Sequence, residues 1–204
     1  MNGILRWFGR ALIAGGALLL AYCGMVWLDA RIFQERESRL LDSQLEAALH
    51  VPPAPVPLPV STTVPLATKP RGVIGRLEIP RLGLSEIIVE GANGAALRRG
   101  IGHISSTPLP GQIGNAAITG HRDTFFRPLR NIERDDLIRI TTPRGKYAYH
   151  VVSMSIVEPD NAAVLGSDGN EAITLITCYP FYFVGPAPKR MVVRAERIAP
   201  PAEE

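Results

Sequence analysis

Three side chains of this sequence have the types and the neighbours that nucleophilic chemistry needs. Cys178 follows a β-branched run, residues 173–177, which predicts a strand. Arg190 opens the next strand-like run, residues 190–193, after a loop rich in proline, glycine and aromatic residues. If the two strands pair, the thiol faces a fixed positive charge. Such a charge favours the thiolate, which is the attacking form of a cysteine.

A base for this thiol is expected upstream. His121 follows a short apolar run, residues 116–119, and Gly120, so a second predicted strand ends in a titratable side chain. Asp123 lies two residues further on and is a candidate third member that orients the imidazole. The sequence therefore predicts a cysteine, a histidine and an arginine at strand ends. Their meeting in space is a prediction that only coordinates test.

The motifs around these residues resemble those of the sortase family. T-L-I-T-C precedes an arginine at the start of the next strand, and the upstream apolar strand ends in G-H. The longer forms I-T-G-H-R-D-T-F-F-R-P-L-R and T-C-Y-P-F-Y-F-V-G-P-A-P-K-R are most similar to class D sortases, including those of diderm bacteria. The resemblance covers residues 71–199 and implies a mostly β fold, an eight-stranded sortase-type barrel with short helices.

The resemblance implies a catalytic role for three residues, and each role has a structural alternative. Cys178 would form a thioacyl-enzyme; the alternative is a small, buried apolar residue. His121 would protonate the leaving amine and then act as base for the incoming one; the alternative is a structural histidine. Arg190 would bind the developing oxyanion or the substrate carbonyls; the alternative is an edge-strand charge.

Weaker candidates surround these three. Thr177, next to the cysteine, and Asp123 are expected to line the substrate groove. His103 also follows a glycine, but it lacks the G-H-R-D-T context, and we interpret it as structural or site-lining. His50 and His150 are interpreted as surface or strand residues.

Composition excludes several classes of function. The chain has 204 residues, a formal net charge of +3 and two cysteines. The basic residues are dispersed, so a nucleic-acid partner is not expected. Two cysteines define no disulfide framework, and no C-x-x-C zinc pattern, P-loop or G-x-G-x-x-G is present.

The acidic loop before the cysteine strand raises the question of a metal. Glu158, Asp160, Asn161 and Asp168 lie there, and some sortases bind calcium near this loop. Their spacing matches no Ca²⁺-binding loop. We therefore expect a solvated acidic loop, with no metal and no cofactor.

The N-terminus predicts a membrane anchor. Residues 11–28 are uncharged and mostly apolar, near the lower limit of length for a bilayer core of about 30 Å. Arg6 and Arg10 precede the run, which favours a cytoplasmic N-terminus and an extracytoplasmic C-terminal part. The alternative is a cleaved signal peptide, but no A-x-A site follows the run. Cys23, inside the run, is interpreted as a small apolar residue.

The remaining chain is predicted to contain a spacer and one domain. We expect the anchor within residues 1–30, a polar helix followed by a proline-rich stretch in residues 31–70, a catalytic domain in residues 71–199, and a short tail in residues 200–204. The polar helix either extends the membrane helix, binds a partner or is simply solvated, which is the favoured interpretation. Proline-rich residues 51–70 should be extended and able to hold the domain tens of ångströms off the membrane.

The domain itself is predicted to be mostly strand. Alternating or β-branched runs indicate strands at residues 73–79, 84–89, 137–141 and 147–156. Helical turns are expected at residues 93–97 and 162–165. Phe125 and Phe126 are expected in a short helical or turn segment that packs over the domain. Many short strands with little helix indicate a closed barrel or a sandwich, and the resemblance implies the barrel.

The sequence thus predicts a single-pass cysteine transpeptidase of a bacterial cell membrane, the inner membrane in a diderm. The resemblance implies a protein substrate with a C-terminal sorting signal similar to L-P-x-T-G or L-P-x-T-A, cleaved after Thr. The acyl group would pass to an amine on a cell-wall precursor or another protein. Alternatives are a cysteine endopeptidase that uses water and a non-catalytic envelope domain that binds peptides. Peptidoglycan L,D-transpeptidation is disfavoured because the S-H-G-C-[IV]-R-type pattern is absent.

Overall fold

The computed structural model describes residues 2–49 and 72–198. Two α-helices are present in these ranges, α1 (Asn2–Leu49) and α2 (Gly94–Arg99). His50, the proline-rich stretch and the tail lie outside the described residues, so the expectations for them stay predictions.

Eight strands make up the rest of the regular structure. They are β1 (Val73–Ile79), β2 (Leu84–Glu90), β3 (Ile101–His103), β4 (Gly114–Gly120), β5 (Leu137–Thr142), β6 (Gly145–Val157), β7 (Glu171–Tyr179) and β8 (Lys189–Arg197). Three short 3-10 segments, Pro80–Leu82, Arg127–Asn131 and Ala162–Leu165, lie between strands.

The strands close into one barrel, in the order β1-β2-β3-β4-β7-β8-β6-β5. The pairs β2–β3 and β4–β7 are parallel, and the other neighbours are antiparallel. The predicted eight-stranded barrel is therefore confirmed. Because β4 and β7 run in the same direction, their carboxyl ends lie at the same edge of the sheet.

Alternation of side chains builds the core of the barrel. Leu77, Ile118, Leu175 and Val193 come from four different strands and are fully buried. Successive side chains on a strand point to opposite faces, so the residues between these positions face outward. The interior is packed mainly with isoleucine, leucine and valine, whose branched side chains suit strands.

The local predictions agree closely with the observed elements. Strand β1 spans the predicted residues, and Pro80 begins a 3-10 turn directly after it. Asn93 caps α2, its side-chain oxygen accepting bonds from Ala95 N and Ala96 N. One difference concerns Cys178, which we expected at the tip of its strand; β7 continues to Tyr179 because β8 pairs that far. The short strand β3 was not predicted.

Helix α1 is continuous, and its composition changes along the helix axis: an apolar first half is followed by a polar second half. The side chains of its apolar half are exposed; Leu12 and Leu19, for instance, are 73% and 64% exposed. By length and composition it is a candidate membrane anchor, although a signal sequence has the same properties. The second half contacts the barrel: Leu41 is 3% exposed, and Asp42 pairs with Arg76 of β1 at 2.9 Å. The favoured interpretation, a simply solvated helix, is therefore wrong for this half.

Candidate active site

Strand register brings His121, Cys178 and Arg190 together at one edge of the barrel. In the parallel pair β4–β7, Gly120 is aligned with Thr177, so the next residues, His121 and Cys178, are neighbours. In the antiparallel pair β7–β8, Cys178 is aligned with Arg190. Since neighbouring strands lie about 4.8 Å apart, the three backbone positions form a row about 10 Å long.

The side chains of Cys178 and Arg190 also belong to the same face of the sheet. Ile173 and Leu175 of β7 lie in the core, and so do Met191 and Val193 of β8. Alternation therefore places Cys178 and Arg190 on the outer face. They are half-buried, while His121, just beyond the end of β4, is exposed. The thiol and the guanidinium thus lie on one outward-facing surface, and the backbone of His121 lies at its edge, next to Cys178.

The glycine before His121 is required by packing. A Cβ at Gly120 would lie 2.8 Å from Cδ2 of Phe126, which is closer than atoms in contact approach. Phe126 is fully buried, and its amide donates to His121 O at 3.1 Å. The chain therefore folds back over β4 directly after the histidine. This confirms the expected core role of Phe126 and explains why glycine precedes histidine here.

The guanidinium of Arg190 is held by its own loop. Its Nη1 donates to Ala187 O at 3.2 Å and to Lys189 O at 3.0 Å. These bonds use one of its three nitrogens. The planar group is thereby oriented while other N–H donors remain for a carbonyl or an oxyanion beside Cys178.

Arg122 is a residue of this site that sequence reasoning missed. It is 7% exposed, and it donates to Pro180 O at 2.8 Å, Phe183 O at 2.6 Å and Gly185 O at 3.2 Å. It therefore ties the β7–β8 loop, which joins Cys178 to Arg190, to the segment that carries His121. A signal existed: a loop of prolines and glycines leaves carbonyls without partners, and an arginine follows the candidate histidine.

Two of the other expected lining residues face away from the thiol. Thr177 is 2% exposed and faces away from the Cys178 side, its hydroxyl donating to Gly120 O at 2.8 Å. His103 is 1% exposed and contacts Glu90 Oε2 at 2.9 Å and Pro108 O at 2.8 Å. The Asp123 carboxylate lies 3.4 Å from Arg122 Nε, so its polar contact in the described part of the chain is with the adjacent residue. Neither Thr177 nor His103 presents its side chain on the face that carries the thiol.

The β6–β7 loop lies over the same outer face of the sheet. Asn115 of β4 donates to Val164 O and Gly166 O, both at 3.1 Å, and its side-chain oxygen accepts a bond from Thr174. These buried bonds pin the loop over the outer surface of β4. The loop is therefore fixed on the outer face of the sheet, at the end of β4 opposite His121.

The acidic residues of that loop are engaged in local contacts. Asp168 lies 2.9 Å from Arg194, and its pKa is lowered chiefly because it accepts a bond from the Asn170 amide. Glu158 lies 3.6 Å from Lys189, and Asn161 caps the following 3-10 segment. Among residues 2–49 and 72–198, no group of three His, Cys, Asp or Glu side chains is arranged to hold a metal ion. That no cofactor is needed stays a prediction.

Comparison with known proteins agrees with this architecture. The family model for the sortase domain matches residues 77–198. Sortase D of Bacillus subtilis (strain 168) is 36% identical over 125 residues, which are 61% of this chain and 63% of that protein. Sortase A of Bacillus anthracis is 29% identical over 136 residues, 65% of this chain and 63% of that protein. The chain thus spans less than two thirds of either relative.

Solved structures show the same fold. A sortase D5 transpeptidase of Clostridium perfringens superposes with a TM-score of 0.62 over 84% of this chain and 99% of that one, at 21% identity. Sortase C of Clostridium perfringens SM101 superposes with a TM-score of 0.56 over 62% of this chain and 70% of that one, at 29% identity.

Proposed function

This chain belongs to the sortase family, and from that premise we propose that it is a cysteine transpeptidase. Its substrate is a protein with a C-terminal sorting signal similar to L-P-x-T-G or L-P-x-T-A. The observation that carries the proposal is the row of His121, Cys178 and Arg190 at the ends of three adjacent strands. A thiol, a proton carrier and a fixed cation within one peptide's reach are what acyl transfer requires.

The first half of the reaction is acylation. The thiolate of Cys178 attacks the carbonyl carbon of the substrate threonine, and the carbonyl oxygen takes up the negative charge. Arg190 stabilises this oxyanion with a guanidinium N–H. The C–N bond then breaks, His121 gives its proton to the departing amine, and the acyl group stays on sulfur as a thioester.

The second half reverses these roles. An incoming amine attacks the thioester carbon, His121 takes the amine's proton, and the thiolate leaves. A new amide bond replaces the one that was cleaved. The acceptor amine belongs to a cell-wall precursor or to another protein, and the product is a protein joined to the cell envelope or to that partner.

The surface beside Cys178 suits an extended peptide. The outer faces of β4, β7 and β8 form it, and the β6–β7 loop held by Asn115 lies over the same face. The exposed edge leaves both ends of a bound segment free, which a signal inside a longer protein needs.

The N-terminal helix supports a location at the cell membrane. We propose that residues 11–28 span the bilayer with the N-terminus in the cytoplasm and the barrel outside. Confining the enzyme and a membrane-tethered substrate to one surface raises their effective concentration.

Mass spectrometry of the full chain in detergent with an L-P-x-T-G peptide tests this function. A covalent adduct on Cys178, with the mass of the fragment up to threonine, is expected; adding an amine should release that fragment as the amide. Cys178→Ala is the control and should form no adduct. An intact peptide and no adduct with the wild-type chain would contradict the proposal.

Two outcomes would favour the alternatives. A hydrolysed fragment that forms equally with and without added amine indicates a cysteine endopeptidase. Peptide binding that is the same in wild type and Cys178→Ala, with no cleavage in either, indicates a non-catalytic binding domain.

A further inference from the structure

The helix that follows the apolar run docks on the barrel through Gln34. Its side-chain oxygen accepts a bond from Ile87 N of β2, and its nitrogen donates to Arg99 O at the end of α2, both at 2.7 Å. Gly100 permits this approach, because a Cβ there would lie 2.5 Å from Ile87 O and 3.1 Å from Gln34 Nε2. The helix therefore bonds to the backbone of two elements at once.

A second contact lies two turns further along the helix. Arg76 of β1 donates to both carboxylate oxygens of Asp42, at 2.9 and 3.1 Å, and to Ser38 Oγ at 2.8 Å. Leu41 is buried between these polar contacts. Two separate contacts on one rigid helix fix both the position and the direction of its axis relative to the barrel.

The first contact lies close to the end of the apolar run. Leu28 ends that run, and the rise from Leu28 to Gln34 is about 9 Å at roughly 1.5 Å per residue. Asp29, the next residue, lies 3.5 Å from Arg99 Nε. The headgroup layer of a bilayer leaflet is about 5–8 Å thick. If the apolar run spans the hydrocarbon core, the Arg99 side chain, beside Asp29, lies within the headgroup layer. The Arg99 carbonyl, bonded to Gln34, lies at the outer boundary of that layer.

The chemistry of α2 fits that depth. Ala95, Arg98 and Arg99 are exposed on this short helix. Arg31 of α1, three residues after the apolar run, has its guanidinium over Trp27 at 5.1 Å. Arginine binds phosphate through a planar set of donors, and tryptophan favours the membrane interface. Small side chains beside arginines allow the backbone to approach a lipid surface.

We propose that α2 is a membrane-contacting surface, held against phospholipid headgroups by the docked half of α1. This inference rests on the proposed membrane anchor and not on the catalytic reaction. The barrel lies directly on the bilayer, since the docking contacts come before the proline-rich stretch in the chain.

The test uses the full chain in nanodiscs of phosphatidylethanolamine and phosphatidylglycerol that contain a nitroxide-headgroup lipid. A fluorophore is placed on a cysteine introduced at Ala95, Lys146 or Leu19, in a Cys23→Ala, Cys178→Ala background. Lys146 borders the same cavity as Asp42. Asp42 lies about 20 Å further along the helix than Leu28, so the probe at Lys146 reports on a surface away from the bilayer. With the headgroup nitroxide, we expect strong quenching of the fluorophore at Ala95 and much less at Lys146. In separate nanodiscs that contain an acyl-chain nitroxide, we expect quenching at Leu19.

A matched pair of helix variants tests the docking. The first variant combines Gln34→Ala and Asp42→Ala. It should remove most of the quenching at Ala95 and speed hydrogen exchange at the Ile87 amide. Glu35→Ala, on the exposed side of the same helix, should change neither. Equal quenching at Ala95 and Lys146, or an Ala95 signal unaffected by undocking, would overturn the proposal. An unquenched probe at Leu19 would overturn the anchor as well. The catalytic proposal is tested separately, by peptide cleavage with the wild-type chain, which retains Cys178.

Discussion

At the scale of single residues, the guanidinium of Arg190 is positioned by the loop that precedes it. One nitrogen bonds to a loop carbonyl, Ala187 O, and to the carbonyl of Lys189 at the start of β8, so the group presents its remaining donors in a defined plane. A lysine at this position would carry the charge as a mobile point and would lose the planar set of donors.

We predict that Arg190→Lys lowers kcat/KM for peptide cleavage by about 10²-fold, the usual cost of one oxyanion donor. Steady-state kinetics with a fluorogenic sorting-signal peptide measure this effect, and the melting temperature serves as the control for folding. Activity equal to that of the wild type would count against the role assigned to Arg190.

Arg122 acts on the same loop from the histidine side. Its loss would leave three loop carbonyls without their charged donor, and each such bond contributes about 1.5–3 kcal/mol. We predict that Arg122→Met lowers kcat at least tenfold and speeds hydrogen exchange within residues 180–188, with Arg122→Lys intermediate.

Arg130→Met is the matched control for that variant. Arg130 also contacts the loop, but it does so from the surface, through the Tyr182 hydroxyl at 2.9 Å. Its replacement should leave kcat within a factor of about two, because one exposed contact contributes little. If both variants lost activity equally, a specific role for Arg122 would be refuted.

At the scale of elements, β2 carries a half-buried carboxyl group, Glu86, near Arg31 of α1. Burial raises the pKa of Glu86 to about 7, and the charge of Arg31 on α1 opposes this only in part. The folded protein therefore binds a proton that the unfolded chain releases near pH 4.5. Stability must then fall as pH rises between these two values.

We predict that Glu86→Gln removes this dependence. The wild-type chain should lose stability between about pH 4.5 and 7, and the variant should lose less and be the more stable of the two above pH 7. Urea unfolding at pH 5 and pH 7.5 measures both. Parallel pH profiles for the two proteins would show that Glu86 is not the responsible group.

At the scale of the whole molecule, the two ends of the barrel have separate tasks. The carboxyl ends of β4 and β7 carry the candidate site, while the opposite end is closed by Tyr149. Its hydroxyl donates to Glu171 at 2.6 Å and accepts from Gly111 N at 3.1 Å. Burial and the Glu171 carboxylate raise the pKa of Tyr149, so the hydroxyl stays a donor. Along β7, the rise from Glu171 to Cys178 is about 23 Å.

We predict that Tyr149→Phe destabilises the fold by about 1–3 kcal/mol, because it leaves buried partners unpaired. At this distance the change should leave kcat/KM at 25 °C unaltered, since well-separated sites act independently. Thermal melting and peptide kinetics on the same sample decide the matter. A parallel loss of activity at temperatures where the variant is fully folded would contradict the separation.

The sequence by itself determined the local structure of this protein. Strand alternation, the asparagine cap of α2, the turn at Pro80 and the glycine-histidine step are all readable from neighbouring residues, because they depend on contacts within a few positions. The same is true of the residue types at the candidate site, and the family resemblance added the barrel.

Tertiary structure alone decided which residues meet. Both His103 and His121 follow a glycine, yet His103 is buried against Glu90 while His121 lies beside Cys178. The alignment of β4 with β7 joins residues 57 positions apart. Arg122 bonds to the β7–β8 loop, and Gln34 bonds to β2. Both of these contacts also join residues that are far apart in the sequence. The strand pairings are set by closure of the barrel and the other bonds by packing against it. Both depend on the whole fold, which no local pattern contains.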